Sequence, residues 1–390
     1  MKKRLLTTLP ILWLSMVIHA QMQELQVGLL RDQAVKRVMV LTGRGGADIL
    51  ADGRKVGELS GADGLRVECI GGVLHAKCLS CQFSAKNRIT VIPKGSGGGF
   101  RMRSSDPPMP ERAYAGKLEV RPAGEKLTLV NEVKLEEYVA AVVLSEAGKD
   151  HDREYYKLQG VSCRTYALSN LRRHAGDGFE LCDGVHCQVY KTRNDQELIS
   201  QAVLATRGMV VVDASIRLVH ATFHSNCGGH TLNAEDVWSK EEPYLRARPD
   251  SFCTGGAHAR WERTIPRAEW LAYLKKRFNL NVNDPAVVEA VTNYMPTGRE
   301  VAMSGLPVSI PLKEVRGDWK FNSAYFSIAP EGDQLRIVGR GFGHGVGLCQ
   351  EGAMAMAGKG IPFTDILHHY YTSVHLIDLS NIAFFRDDGY

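Results

Sequence analysis

The chain has 390 residues, 44% hydrophobic and 23% charged, with 48 Lys and Arg against 43 Asp and Glu for a formal charge of +5. That length predicts two or three structural units, and the balance excludes global disorder, a fibrous repeat and a multi-span membrane protein. Three of the positive charges, Lys2, Lys3 and Arg4, belong to an acid-free N-terminus, so removing it drops the chain from +5 to about +2 and leaves no case for a nucleic-acid partner.

Residues 1–20, MKKRLLTTLPILWLSMVIHA, have the three parts of a secretory signal: a basic start, an apolar run from Leu5 to Ile18, and the small residue Ala20 at a cleavage point. The run is shorter than the roughly 20 apolar residues a spanning helix needs. Cleavage predicts an exported protein of the periplasm or cell envelope, with no membrane span afterwards. All nine cysteines (Cys69, Cys78, Cys81, Cys163, Cys182, Cys187, Cys227, Cys253 and Cys349) follow the signal and would meet an oxidising compartment. An odd number leaves at least one unpaired, metal-bound or paired outside the chain.

From 21 to 92, short apolar stretches alternate with Gly and Asp turns, which predicts a β-rich N-terminal segment. Residues 93–112 are rich in Gly, Ser and Pro and read as a linker or long loop. GKLEVRPAGEKLTLVNEV reads as a hairpin that feeds a helix over Leu135 to Ala147, whose Leu135, Tyr138, Val139, Val142 and Val143 form an apolar face. Glu146 falls on that face, either as a helix-end residue reaching for solvent or as a buried functional acid. Further helices are predicted near Arg153 to His174, Gln196 to Thr206, Arg267 to Phe278 and Pro362 to Tyr371. MVVVD with IRLVHATFH reads as a strand pair, and QLRIVGR as a strand entering a glycine run. The whole predicts an α+β fold of mixed sheets with a few helices, its larger domain at 113–380 carrying a subsidiary segment at about 262–330.

Three stretches could carry chemistry. GRGFGHGVGLCQEGA alternates Gly339, Gly341, Gly343, Gly345 and Gly347 around His344. Its spacing does not fit a dinucleotide fingerprint; the glycines either make a tight structural turn or bring main-chain N–H groups and His344 against a ligand. CDGVHCQVY places Cys182, His186 and Cys187 within six residues, which suits half of a zinc site or a local disulfide. HATFHSNCGGH offers His220, His224, Cys227 and His230; in a strand the three histidines would share a face, but Cys227-Gly228-Gly229 breaks the strand before His230. No HExxH motif or hydrolase triad signature is present.

LEEYVAAVVLSEAG, LQGVSCRTYAL, CDGVHCQVY, FHSNCGGHT with AEDVWSKEEPYL, and GRGFGHGVGLCQEGAMAMAGKG resemble, in order, the successive blocks of the SpoIID/LytB family, over about Tyr114 to Ile377. The resemblance implies a SpoIID-like catalytic domain in an exported cell-wall protein: either a peptidoglycan lytic transglycosylase acting on glycan strands stripped of stem peptides, or a non-catalytic glycan-binding enhancer of a cell-wall amidase. A zinc-dependent amidase is a third class, for which no complete ligand set is visible in the sequence. The family's catalytic glutamate matches Glu146, which would protonate the leaving oxygen and then accept the proton of the attacking C6 hydroxyl, giving a 1,6-anhydro end. The same matching assigns substrate contacts to Arg164, Tyr166, Gln188, Tyr190, Ser225, His344 and Gln350. It implies that no cofactor is required, while zinc is allowed, with Cys182 and His186 as ligands. The chain departs from the family pattern at Ala147, in KDHDREYYK, in Gln159-Gly160-Val161-Ser162-Cys163 and in Cys349-Gln350-Glu351-Gly352-Ala353.

Overall fold

A computed structural model describes residues 24–382, apart from 96 and 239; the signal peptide expected at 1–20 lies outside the described residues. Among the described residues twelve strands precede the first α-helix. They are β1 (Glu24–Leu29), β2 (Arg37–Thr42), β3 (Ala47–Ala51), β4 (Arg54–Leu59), β5 (Gly64–Ile70) and β6 (Val73–Lys77). Then come β7 (Gln82–Ala85), β8 (Ile89–Pro93), β9 (Gly99–Asp106), β10 (Arg112–Ala115), β11 (Lys117–Ala123) and β12 (Lys126–Lys134). Alternating burial along β2, β5 and β9 follows their alternating sequence, one face inward and one outward.

The next elements are α1 (Leu135–Ala147), α2 (Arg153–Ser169), β13 (Leu181–Cys182), α3 (Glu197–Ala205), β14 (Met209–Val212), β15 (Phe223–His224) and α4 (Ala234–Trp238). After them run β16 (Arg260–Pro266), α5 (Arg267–Phe278), α6 (Pro285–Thr292), α7 (Leu312–Trp319), β17 (Phe326–Glu331) and β18 (Gln334–Arg340). The described chain closes with β19 (Leu348–Cys349), α8 (Gln350–Ala357), α9 (Phe363–Tyr370) and β20 (His375–Asp378).

The α+β class stands, but the boundaries drawn from the sequence do not. β1 from the N-terminal segment lies between β12 and β13, in a seven-stranded sheet ordered β13-β1-β12-β11-β8-β3-β4. A six-stranded sheet, β10-β9-β2-β5-β6-β7, shares one hydrophobic core with it and with α1, α2 and α3. The 93–112 stretch is therefore not a linker. It supplies β9, paired on both sides by β2 and β10, because Phe100, Met102 and Ser104 alternate inward between exposed arginines. The subsidiary segment is a separate packing unit, β16-β18-β17 with α5, α6 and α7 around Trp270, Leu274, Ile328 and Ile337.

Two other expectations change. MVVVD does not pair with IRLVHATFH along its length; β14 pairs with the C-terminal β20, and a single bridge, Val212 to Leu218, is left of the expected hairpin. α2 stops at Ser169 rather than His174, where Asn170 turns its side-chain Nδ2 back to the Tyr166 carbonyl.

Candidate active site

β12 runs directly into α1, so the hairpin fixes the direction of the helix that carries Glu146. The helix is buried on more than its Val face: Ala140 and Ala141 are covered as well, by α2 and α3. Glu146 sits in its last turn, half-buried, where no basic side chain offsets the negative end of the helix. Burial raises its pKa above the ordinary carboxyl value, and the Val189 N–H and the charge of Lys191 oppose that rise. The Val189 N–H donates to Glu146 Oε1 at 2.6 Å.

Val189 belongs to the 182–190 loop, and three anchors hold that loop. β13 adds in parallel to β1, with Cys182 opposite Gly28. Asp183, buried, accepts from the Leu30 N–H at 3.0 Å and from Arg112 Nη1 at 2.9 Å. Cys182, His186 and Cys187 converge with His174, and the four ligand atoms lie within 4.8 Å of one another. His174 Nε2 is 3.2 Å from His186 Nδ1, while its Nδ1 faces Asp177 Oδ2 at 2.8 Å. A carboxylate on the far ring nitrogen of a histidine is the usual support for a metal ligand, and two thiols with two imidazoles suit tetrahedral zinc. His174 joins the Cys182, His186 and Cys187 seen in the sequence and makes a set of four candidate ligands. His174 escaped notice because seven residues, including a short 3-10 turn at Ala175–Asp177, separate it from Cys182.

Glu146 opens on a cleft of about 610 Å³ that Tyr166, Gln188 and His344 also line, together with Arg173, Val185, His220, Trp238 and Glu242. Gln188 is buried; its Oε1 accepts from Tyr138 Oη at 3.4 Å, and its Nε2 has no partner beyond the Cys163 thiol beside it. That leaves a donor for a ligand carbonyl. Tyr166 is pushed up to about 12 by burial, so its hydroxyl stays protonated. His344 has both nitrogens engaged: Nδ1 accepts from the Val346 N–H at 3.1 Å and Nε2 donates to the Phe223 carbonyl at 3.0 Å. Burial lowers it to about 4, so it is a neutral, fixed ring rather than a proton carrier. The glycine run makes this placement attainable. Gly343 has φ +114° and would set a Cβ 2.8 Å from His224 Cβ, and Gly345, at φ +84°, would drive one into the Arg299 guanidinium.

Four residues matched to substrate contacts do not line this cleft. Arg164 is fully buried and forks onto Glu136 at 2.9 and 2.5 Å while donating to the Met209 and Val203 carbonyls, so it ties α2 to α1 and β14. Tyr190 is fully buried, its hydroxyl donating to Asn131 Oδ1 at 2.7 Å. Gln350 is buried at the start of α8. Ser225 offers its carbonyl to the Glu351 N–H at 3.0 Å. The strand does end before His230, as the Cys-Gly-Gly implies: β15 covers only Phe223–His224, while His220 lines the cleft and His224 is buried beneath the glycine run.

The sequence reading missed several cleft residues, Arg173, Trp238 and Glu242 among them. Trp238 is 45% exposed and its ring lies 5.0 Å from that of His344. An exposed tryptophan beside a cleft is the signal that could have marked it within AEDVW. Glu242 is the second cleft carboxyl; burial works against its charge, but hydrogen bonds with Lys240 Nζ (2.6 Å) and Tyr244 hold its pKa below the ordinary value. The two cleft acids are therefore pushed in opposite directions.

Residues 123–212, which hold Glu146, Tyr166, Gln188 and the cysteine–histidine cluster, match the Stage II sporulation protein family, SpoIID. The chain carries a SpoIID domain. The chain is 28% identical over 264 residues to stage II sporulation protein D of Bacillus subtilis, covering 63% of this chain and 75% of that one. It is 28% identical over 282 residues to an uncharacterized protein of Brachyspira hyodysenteriae (69% and 73% covered). The amidase enhancer of Bacillus subtilis is 24% identical over 288 residues, 60% of this chain and 39% of that longer protein. Among the described residues no helix is long and apolar enough to cross a membrane.

Proposed function

We propose that this protein is an exported peptidoglycan lytic transglycosylase that cuts the MurNAc–GlcNAc bond of glycan strands stripped of stem peptides. One observation carries the reading: Glu146, a carboxyl held above its ordinary pKa, opens on a cleft of about 610 Å³, a size suited to a few sugar units. Glu146 in its protonated form gives its proton to the glycosidic oxygen as the bond from that oxygen to the MurNAc anomeric carbon breaks. The carboxylate left behind takes the proton of the MurNAc C6 hydroxyl as O6 bonds to the same carbon. The proton is returned, no water is consumed, and the new end is 1,6-anhydroMurNAc. Gln188 Nε2 supplies a donor for an acetamido carbonyl, and the Trp238–His344 pair supplies an apolar platform for a sugar ring. Among the described residues Arg173, exposed on the cleft wall, makes side-chain bonds only to neutral partners, Tyr166 Oη at 3.0 Å and Asn170 Oδ1 at 3.2 Å. It is a cation for the lactyl carboxylate that stem-peptide removal uncovers.

Zinc at His174, Cys182, His186 and Cys187 would be structural, since four protein ligands close the coordination sphere and leave no position for an activated water. It would hold the loop that presents Gln188 and the Val189 N–H to Glu146. This also argues against the zinc-amidase class.

Glu242 favours a second reading, hydrolysis by a pair of carboxyls with separated pKa values. Similarity to a protein named amidase enhancer supports a third, a glycan-binding partner of a cell-wall amidase. Mass spectrometry of denuded strands separates them. Anhydro ends mark the transglycosylase, a reducing end heavier by one water marks the hydrolase, and intact strands with a faster amidase mark the enhancer.

A further inference from the structure

On the far side of the glycine run lies a group of side chains that the cleft chemistry does not use. Cys227 follows β15 in the Ser225-Asn226-Cys227-Gly228-Gly229 turn, Asp250 and Cys253 come from the loop before β16, and Cys349 ends β19. Their ligand atoms lie within 4.8 Å of one another, and the four residues are 1%, 1%, 0% and 0% exposed. Cys227 Sγ is 3.3 Å from both Cys253 Sγ and Asp250 Oδ2. The Cys227 N–H points at Cys349 Sγ from 3.3 Å.

The surroundings are built around these atoms. Asp250 Oδ1 accepts from the Phe252 N–H at 3.0 Å, and Oδ2 accepts from Tyr370 Oη at 2.9 Å, which fixes the carboxylate plane. A Cβ on Gly352, in the first turn of α8, would run into both Tyr370 Oη and Asp250 Oδ2. Among the described residues no Lys, Arg or His forms a direct ion pair with Asp250, so a fully buried carboxylate faces three sulfurs; the buried Arg299, which donates to the Cys227 carbonyl at 2.8 Å, and His369 act on the group only through space. Buried charge of that kind is held in proteins by pairing or by a metal. A disulfide between any two of the cysteines would leave the third thiol and the carboxylate unexplained. All three are free thiols here, whereas Cys78 and Cys81 are bonded to each other.

We propose that Cys227, Cys253, Cys349 and Asp250 form a second zinc site, structural and separate from the cluster beside Glu146. The three thiols release their protons to solvent and bind as thiolates, and the Asp250 carboxylate is the fourth ligand, giving a closed tetrahedral S₃O set. Phe252 N–H, Tyr370 Oη and the Cys227 N–H support it from outside, as such partners do in metal sites. The ion joins three loops distant in sequence and clamps the β15–β19 pair. That pair carries the Phe223 carbonyl, to which His344 donates, so the site shapes the cleft wall that holds His344 and Trp238.

The test is metal content of the full-length purified protein, with peptide mapping after thiol alkylation. The parent chain is expected to hold two zinc ions. Cys182→Ala, which removes only the cluster beside Glu146, should keep one, and X-ray absorption on that variant should show three sulfurs and one light ligand. Cys349→Ser should lose the other. If the parent holds a single zinc that vanishes in a folded Cys182→Ala variant, the second site does not exist, whatever the fate of the first. A peptide pair linked through any two of Cys227, Cys253 and Cys349 in the parent chain would overturn the proposal equally, and needs no variant to fold.

Discussion

The backbone N–H of Val189 donates to the carboxylate of Glu146 at 2.6 Å, so the acid at the end of α1 is held by the same loop that carries the cysteine–histidine cluster. A hydrogen bond to a carboxylate favours its charged form, and so does the nearby Lys191, yet burial outweighs both and the pKa stays raised. The balance suits a group that must begin the reaction protonated and then take a proton back.

A pH dependence follows from that balance. The acid form is the one that protonates the leaving oxygen, so kcat/KM should fall as pH rises through the pKa of Glu146, on a limb placed above the ordinary carboxyl range of about 4.3. Lys191→Met removes one of the two opposing influences and should move the limb to higher pH. Because Glu146 titrates higher in the folded chain than in the unfolded one, its contribution to stability is complete below the unfolded pKa. It is lost as pH rises through the folded pKa. Glu146→Gln should therefore match or exceed the parent in Tm above that pH. pH–rate profiles and thermal melts of the parent and both variants read this out, and superimposable limbs for parent and Lys191→Met would refute the assignment.

Arg164 should behave as a structural residue. Its guanidinium is fully buried and holds Glu136 and two backbone carbonyls at once. Arg164→Ala leaves the Met209 and Val203 carbonyls and the partly exposed Glu136 without their donor and should destabilise the fold by about 3 kcal/mol, from unsatisfied buried acceptors. In denaturant titrations this appears as a lower midpoint; KM for glycan at a temperature where the variant remains folded should change little.

The cleft wall gives the opposite pattern. Trp238 is exposed, so Trp238→Ala should leave the denaturation midpoint within error while weakening glycan binding about tenfold, equivalent to about 1.4 kcal/mol. Arg173→Met should weaken binding to denuded strands more than to strands that keep their stem peptides, since only the former expose the lactyl carboxylate. Equal losses on both substrates would show that Arg173 does not read that group.

Zinc binding at the cluster beside Glu146 should depend on Asp177, which faces His174 Nδ1 and also pairs with Arg31 Nε at 3.0 Å. Asp177→Asn should reduce zinc affinity by about 10- to 100-fold in a chelator competition assay, the range expected when the support of a ligating histidine is weakened. An unchanged affinity would mean that His174 is not a ligand.

Local pattern carried much of this from the sequence. The bounds of α1, α5 and β18 follow directly from their hydrophobic spacing, and Glu146 could be placed on the buried face of α1 from helical geometry alone. What failed was non-local. Nothing in the composition of 93–112 shows that Phe100 and Met102 turn into the core, or that β1 inserts between β12 and β13. Matching the Arg-Thr-Tyr run to a family block could not tell that Arg164 points inward to Glu136 while Tyr166, two residues on, points to the cleft. His174 and Asp250 are ordinary in the sequence and become metal-ligand candidates only where turns bring them beside cysteines.

The most direct test of Glu146 as acid and base is mass spectrometry of denuded glycan strands incubated with the parent protein and with Glu146→Gln, which keeps the acceptor for the Val189 N–H and loses the proton. The account predicts 1,6-anhydroMurNAc ends from the parent and a loss of at least about 100-fold in the variant, with the fold unchanged by circular dichroism. Anhydro ends released at the same rate by both proteins would contradict it.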